Sequence, residues 1–293
     1  MRLVSRRTTA ILSVVLTSAT AFGCGSEKKP PADGTGGAPA AAECPEAPGY
    51  SEPVEPQRVD WVTAQLVDAD GSGVGEEFVQ LCGLDVCLNG KTTPRGGLKI
   101  DAGTLFRKPA LKPGEGLQTV RFALLLPANG EPTVALGEVR TVRMPALGSG
   151  AALVAGSVVS SGGLSLELAE NAEIEIDQLT FRTPEQQQLR ALRIEPAALS
   201  QIIPEELGFE LVYAASPPDT LFCPAAKLLV ENTANFEAGS RIGVFLHGVD
   251  VEERFAPYGG WAQVAEARVS DDGASIETSD GLPMLGLLGF KRL

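Results

Sequence analysis

Histidine is almost absent from the sequence, because His247 is the only one in 293 residues. A single histidine excludes zinc sites with two histidine ligands and the HExxH motif of metallopeptidases. The chain also lacks CxxC spacing and a G-x-S-x-G motif, the usual patterns of dithiol redox centres and of α/β-hydrolases. We therefore expect no catalytic residues, no metal and no cofactor, and we interpret His247 as a partly buried histidine at a strand end.

Positive charge, aromatic residues and long apolar runs are also scarce. The formal net charge is -13 and the isoelectric point is near 4.7, which argues against nucleic acid or an anionic membrane surface as a partner. No apolar run reaches the roughly 18 residues that a membrane-spanning helix needs. The chain does contain 33 Gly, 21 Pro and 44% hydrophobic residues, which predicts a globular protein with many turns.

Residues 1–23 have the pattern of an export signal. Three arginines precede a short apolar stretch, residues 10–22, that ends in small side chains. Removal of this segment leaves 37 acidic and 21 basic residues, so the mature chain has a formal charge of -16. We expect an exported protein with an acidic surface.

Two cleavage sites compete at the end of this segment. Residues 19–21 form an A-x-A site for ordinary signal peptidase, whereas residues 21–24 resemble the lipobox of bacterial lipoproteins. Cysteine parity favours the lipobox, because assigning Cys24 to a lipid leaves an even set of four cysteines. The resemblance implies a lipid anchor on Cys24, and Gly25 in place of Asp implies sorting to the outer membrane. A secreted or periplasmic protein is the alternative.

Residues 24–56 contain the lipidated cysteine and a linker rich in Gly, Pro and Ala, which is expected to be a flexible tether. Cys44 near its end is explained by a disulfide that attaches the tether to the folded part. Cys82 and Cys87 have a spacing that a tight β-hairpin can bridge, and elimination then pairs Cys44 with Cys223. Four cysteines allow three connectivities, so this pairing is a hypothesis.

The rest of the chain reads as short strands between turn signals. Residues 59–67 and 134–142, for example, are bounded by Asp, Gly or Pro. The pattern predicts an all-β fold with two β-sandwich domains in tandem, 57–147 and 151–293, separated by small residues at 148–150. Helix is a minor component of this prediction.

One helix is predicted to begin at Thr183. Pro184 suits the first helical position and Gln186 the capping-box position, so the helix is expected to run toward Leu192. A further short helical turn is predicted at residues 204–207.

The first predicted domain resembles the carboxypeptidase regulatory-like, or transthyretin-like, domain. The resemblance covers residues 58–147 and is carried by the D-x-D-G turn at 68–71, the strand at 78–82 and the turn motif at 92–100. It implies a non-catalytic, seven-stranded sandwich with a spacer or binding role. Residues 162–168 and 171–174 resemble the opening of a ZU5-type β domain. Trp261 and residues 268–278 resemble repeats of large bacterial secreted and surface proteins, and both resemblances imply β-structure and interaction with other molecules.

Two groups of side chains are candidates for a site. Phe255, Tyr258 and Trp261 lie on one loop, and aromatic side chains with polar tips suit sugar or protein surfaces. The alternative is that Phe255 and Trp261 anchor this loop in the core. Glu173 and Glu175 project from one strand face, which is the arrangement of a glycosidase carboxylate pair, but we interpret them as part of a solvated face.

These observations together predict a non-catalytic cell-envelope lipoprotein that serves as a surface binding or structural module. The expected partners are the membrane, through the lipid anchor, and an envelope protein or polysaccharide, with nucleic acid excluded. A carbohydrate-binding accessory protein is one alternative, in which Trp261→Ala would abolish glycan retention without affecting thermal stability. A carboxylate-dependent hydrolase is the other.

Overall fold

The computed structural model describes residues 43–128 and 130–293. Strands dominate these ranges, and the helices within them are two short 3-10 turns, Pro196–Leu199 and Glu205–Leu207. The predicted all-β fold is confirmed. No helix in this part of the chain has the length and apolar character needed to span a membrane. The export signal, Cys24 and the tether as far as residue 42 lie outside the described residues.

The first seven strands form two facing sheets. Their bounds are Gln57–Val67 (β1), Phe78–Cys82 (β2), Cys87–Lys91 (β3), Gly97–Phe106 (β4), Ala110–Pro113 (β5), Leu124–Leu125 (β6) and Thr133–Arg140 (β7). One sheet has the order β4-β1-β7 and the other the order β3-β2-β5-β6. Val59 and Val62 of β1 share one apolar cluster with Val79 and Leu81 of β2, so the space between the sheets is a sandwich core.

The remaining strands form one large curved sheet. Their bounds are Ala151–Ala152 (β8), Val158–Ser161 (β9), Leu164–Glu167 (β10), Glu173–Glu175 (β11), Gln188–Ile194 (β12), Leu211–Ser216 (β13), Leu221–Glu231 (β14), Arg241–His247 (β15), Trp261–Val269 (β16), Ser275–Thr278 (β17), Leu282–Met284 (β18) and Leu287–Arg292 (β19). The order is β8-β12-β13-β19-β15-β16-β17-β14-β10-β9, and β11 and β18 both pair with β14. The sheet curls until β9 approaches β12, where the Ala191 N–H donates to Ser161 Oγ at 3.0 Å.

Strand β13 joins the sandwich to the large sheet, because every one of its residues is buried. Leu211 and Tyr213 point into the apolar cluster enclosed by the large sheet. Val212 and Ala214, on the opposite face, belong to the cluster that fills the sandwich. The described residues form one compact unit, so the predicted division at 148–150 stays a prediction.

Arg190 on β12 fastens the same junction with polar contacts. Its guanidinium is fully buried and donates hydrogen bonds to the carbonyl oxygens of Leu117 (2.9 Å), Pro145 (2.8 Å) and Gly116 (2.6 Å) and to Ser216 Oγ (3.1 Å). Burial lowers the pKa of Arg190, because the charged form loses hydration. Three of the four acceptors are main-chain oxygens of the segment before residue 148, so one side chain holds the two parts of the unit together.

The helix predicted from Thr183 is wrong beyond its first turn. The Gln186 side chain does accept a hydrogen bond from the Thr183 N–H at 3.1 Å, as a capping box requires. The chain then enters β12, where Leu189 and Ala191 are buried in the cluster of the large sheet. Burial and strand pairing outweigh the local helix signal here. The predicted turn at 204–207 is the 3-10 helix Glu205–Leu207.

We expect Arg190→Lys to lower the free energy of unfolding by about 2 kcal/mol, because one ammonium group cannot satisfy the four acceptors that the planar guanidinium reaches. Arg193→Lys is the matched control, since Arg193 lies on the same strand in an exposed ion pair with Glu195. Its loss should stay below about 0.5 kcal/mol. Urea denaturation of both variants measures the difference, and equal losses would contradict the assigned role of Arg190.

Candidate functional site

Both disulfides of the predicted pairing are present in the structure. Cys82 and Cys87 lie directly opposite each other on the hairpin of β2 and β3. Cys44 is bonded to Cys223 on β14, across 179 residues of sequence. The end of the tether is therefore covalently attached to the large sheet, and not to the sandwich that follows it in the chain.

The segment after Cys44 runs across the surface of the large sheet. Two backbone hydrogen bonds fasten it, from the N–H of Gly49 to the carbonyl of Arg254 and from the N–H of Tyr50 to the carbonyl of Glu253, both at 3.1 Å. Tyr50 also packs against the apolar cluster of that sheet. We call residues 44–50 the strap, because it is held by the disulfide at one end and by hydrogen bonds at the other.

A groove of about 570 Å³ opens beside the strap, within the size range of ligand sites in proteins. Its walls are the strap on one side and β11 with the residues after it on the other. The apolar lining consists mainly of Ile174, Leu221, Phe222, Phe255 and Pro283. The charged lining consists of Glu173, Glu175 and Arg254. The groove thus combines an apolar floor with an acidic rim.

The two glutamates come from β11, which pairs antiparallel with the start of β14. Glu173 lies opposite Cys223 and Glu175 opposite Leu221, while Ile174 between them is half-buried. The prediction that both carboxylates share one strand face agrees with this register. Both side chains are exposed, so neither has the apolar surroundings that a general acid of a glycosidase requires. The pair is a source of negative charge on the groove.

Arg254 is the basic side chain of the groove lining, and its charge is already matched. Its Nε lies 2.7 Å from Asp250 Oδ2 and 3.5 Å from Glu252 Oε2. Burial works against the charged form, but the hydrogen bond and attraction to Asp250, with smaller contributions from Glu252 and Glu175, raise the pKa of Arg254. The groove therefore keeps a net negative charge.

The aromatic loop is largely buried, which argues against it as a ligand-binding surface. Phe255 is 7% exposed and Tyr258 is 2% exposed. Burial raises the pKa of Tyr258, whose hydroxyl donates to the carbonyl of Cys82 at 3.3 Å. Trp261 packs 4.8 Å from the Phe209 ring, between centroids, and its Nε1 donates to the Ile202 carbonyl. The loop is therefore anchored in the core, as the alternative prediction states. Of the three aromatic residues, Phe255 alone lines the groove.

His247 is buried more completely than the sequence predicts. Its Nε2 accepts a hydrogen bond from the Ala123 N–H at 3.1 Å, and only 1% of the residue is exposed. Burial lowers the pKa of His247 to about 4, so the ring is neutral at physiological pH. The histidine connects β15 to the sandwich and has no access to a substrate.

Two lysines of the sandwich also reach the second half of the chain. Lys108 Nζ lies 2.7 Å from Glu253 Oε1. Lys112 Nζ donates to the Val249 carbonyl at 3.1 Å, and burial, with repulsion from Arg121, lowers the pKa of Lys112 to about 7. Sequence reasoning missed Lys112, because nothing in a four-residue strand distinguishes a buried lysine from a solvated one. It also missed Arg254, because a four-residue spacing of Asp and Arg signals a charge pair on a helix, whereas Asp250 and Arg254 flank a turn.

Neither a search for metal-binding groups nor comparison with known proteins indicates a function. Within the described ranges, no three His, Cys, Asp or Glu side chains are grouped so that they could hold a metal ion. No protein-family model, characterised protein or solved structure matches the chain. The geometry and charge of the groove are therefore the basis for a functional proposal.

We expect Trp261→Ala to lower the free energy of unfolding by about 3 kcal/mol, because the variant loses ring contacts and leaves the Ile202 carbonyl without its donor. Leu179→Ala is the control, since Leu179 is 82% exposed and should contribute almost nothing. Thermal and urea denaturation measure both. Unchanged stability of Trp261→Ala would contradict the anchoring role and revive the carbohydrate-binding alternative.

We expect removal of the Cys44–Cys223 bridge to cost more stability than removal of the hairpin bridge. Loop-closure entropy gives about 5 kcal/mol for a 179-residue separation and about 2 kcal/mol for a separation of 5 residues. The test compares two double alanine variants, at positions 44 and 223 and at positions 82 and 87, by denaturation without reductant. A loss at 44 and 223 no larger than at 82 and 87 would contradict the expectation.

Proposed function

We propose that this chain is a non-catalytic lipoprotein of the bacterial cell envelope, anchored in the outer membrane by a lipid on Cys24, and that it binds an envelope protein through the groove beside the strap. The observation that carries the proposal is the Cys44–Cys223 bridge, which places the end of the tether at the wall of an apolar, acidic groove. A lipidated Cys24 would then be joined to the groove by a short chain. That chain reaches at most about 70 Å when fully extended.

The character of the described side chains supports a binding role over catalysis. The only histidine is buried and neutral, and the two groove carboxylates are exposed. The groove is lined mainly by apolar side chains, with Glu173, Glu175 and Arg254 as its charged groups. We assign the chain no cofactor and no enzymatic activity.

The proposal treats β1–β7, in which three strands face four around one core, as the domain that resembles carboxypeptidase regulatory-like domains in sequence. In this proposal the sandwich is a spacer that stabilises the large sheet, which presents the groove. The ZU5-like resemblance of the second half belongs to the same proposal, as an interaction domain of the envelope.

The anchor is tested by metabolic labelling with an alkyne analogue of palmitate. The native chain is expected to incorporate the label and to fractionate with the outer membrane. Cys24→Ala should abolish the label and release the protein from the membrane fraction, while Cys87→Ala should leave both unchanged. Release of an unlabelled native chain into the medium or the periplasm would contradict the anchor.

The partner is tested by crosslinking intact cells that express a copy tagged at the exposed C-terminal Leu293. A single protein of the envelope, recovered in stoichiometric amount after denaturing purification, is the expected result. Attached polysaccharide would instead favour the carbohydrate-binding alternative. Recovery of abundant porins alone would indicate a passive surface protein and would contradict the proposal.

A further inference from the structure

We propose that the acidic rim of the groove recognises an extended polypeptide segment in which basic and apolar side chains alternate, and that the main chain of this segment pairs with the edge of β11 that faces away from β14. This inference rests on the proposed function, because it names the partner chemistry of the same groove. Three features of the described residues support it, namely a strand edge, a side-chain pattern and a charge.

The first feature is the edge of β11. This strand pairs with β14 on one side, and no other described strand pairs with it. In an antiparallel ladder, alternate N–H and C=O groups point away from the paired neighbour. Main-chain donors and acceptors of β11 are therefore available along the outer side of the groove's rim, which is the basis of peptide binding by strand addition.

The second feature is the alternation of side chains on β11. Glu173 and Glu175 are exposed, and Ile174 between them is half-buried beside Phe222 and the apolar floor. Side chains directly opposite each other on paired strands lie about 5 Å apart and share one face. An added strand would thus place one set of side chains against the two carboxylates and the intervening side chain against Ile174.

The third feature is the charge of the groove. Arg254 is paired with Asp250 and Glu252, and its attraction to Glu175 is the smallest of the interactions that raise its pKa, so the carboxylates of β11 are not neutralised. No other lysine or arginine lines the groove within the described ranges. Basic side chains opposite Glu173 and Glu175 therefore gain attraction, whereas acidic ones are repelled.

The length of β11 limits the paired segment to a few residues. The three residues of β11 extend over about 10 Å. A helix cannot pair with a strand edge in this way, because its N–H and C=O groups are hydrogen-bonded to one another. The proposed ligand is therefore an exposed strand or an extended terminus of the partner.

The test uses the full-length protein in detergent and fluorescein-labelled pentapeptides, with binding followed by fluorescence anisotropy at low salt. The basic probe alternates lysine and valine, and the acidic probe alternates glutamate and valine. We expect the basic probe to bind at least tenfold more tightly. Methylation of alternate backbone nitrogens of the basic probe, in the register that blocks pairing with β11, should weaken binding at least tenfold.

A charge-reversed variant tests the site itself. Glu173→Lys combined with Glu175→Lys should reverse the preference, so that the acidic probe binds more tightly than the basic one. The matched control combines Glu205→Lys with Glu206→Lys, which changes two exposed carboxylates outside the groove lining and should leave the preference unchanged. Equal midpoints of thermal unfolding for both variants would show that the fold is intact. Gain of binding to the acidic probe is a second check, because misfolding does not produce it.

Equal binding of the two probes, or undiminished binding of the basic probe to the charge-reversed variant, would overturn the inference. The proposed function has a separate readout. An envelope protein crosslinked in cells, with no binding of either probe, would overturn the inference and support the proposed function. Selective binding of the basic probe, with only porins crosslinked in cells, would support the inference and contradict the proposed function.

Discussion

The burial of β13 on both faces is the constraint on which the rest of the structure depends. Leu211 and Tyr213 complete the cluster inside the large sheet, while Val212 and Ala214 complete the cluster of the sandwich. A strand in this position must be apolar at every residue, since either face would otherwise place a polar group in a core. The sandwich and the large sheet therefore stabilise each other through a single strand.

Buried polar groups then determine how the two parts fit together. Arg190, His247 and Lys112 each reach across the junction to main-chain atoms of the other part. Burying such polar groups costs free energy, and their hydrogen bonds add little net stability. Any other arrangement of the sheets would leave them buried without hydrogen-bond partners, which costs more. They accordingly select one relative arrangement of the sheets, while the apolar clusters supply most of the free energy of folding. The strap and the groove inherit this fixed geometry.

Local patterns in the sequence predict a large share of the fold. Alternation of apolar residues identifies the strands, and the spacing of Cys82 and Cys87 identifies the hairpin that contains both. The helix at Thr183 was a wrong prediction because β12 is specified by its neighbours and not by its own residues. The groove could not be predicted, since its lining comes from five separate segments that range from Cys44 to Pro283. Aromatic spacing likewise does not show which way the rings of the loop at Trp261 point.

The Cys44–Cys223 bridge also has a mechanical consequence. Any tension applied between the residues before Cys44 and the C-terminal strand β19 passes from Cys44 through the sulfur atoms to Cys223. The covalent path therefore bypasses residues 45–222, which include the whole sandwich. Along this covalent path the force reaches β14 and the strands after it, and it does not pass through β1–β7. The sandwich is in this sense a mechanically isolated part of a tethered protein.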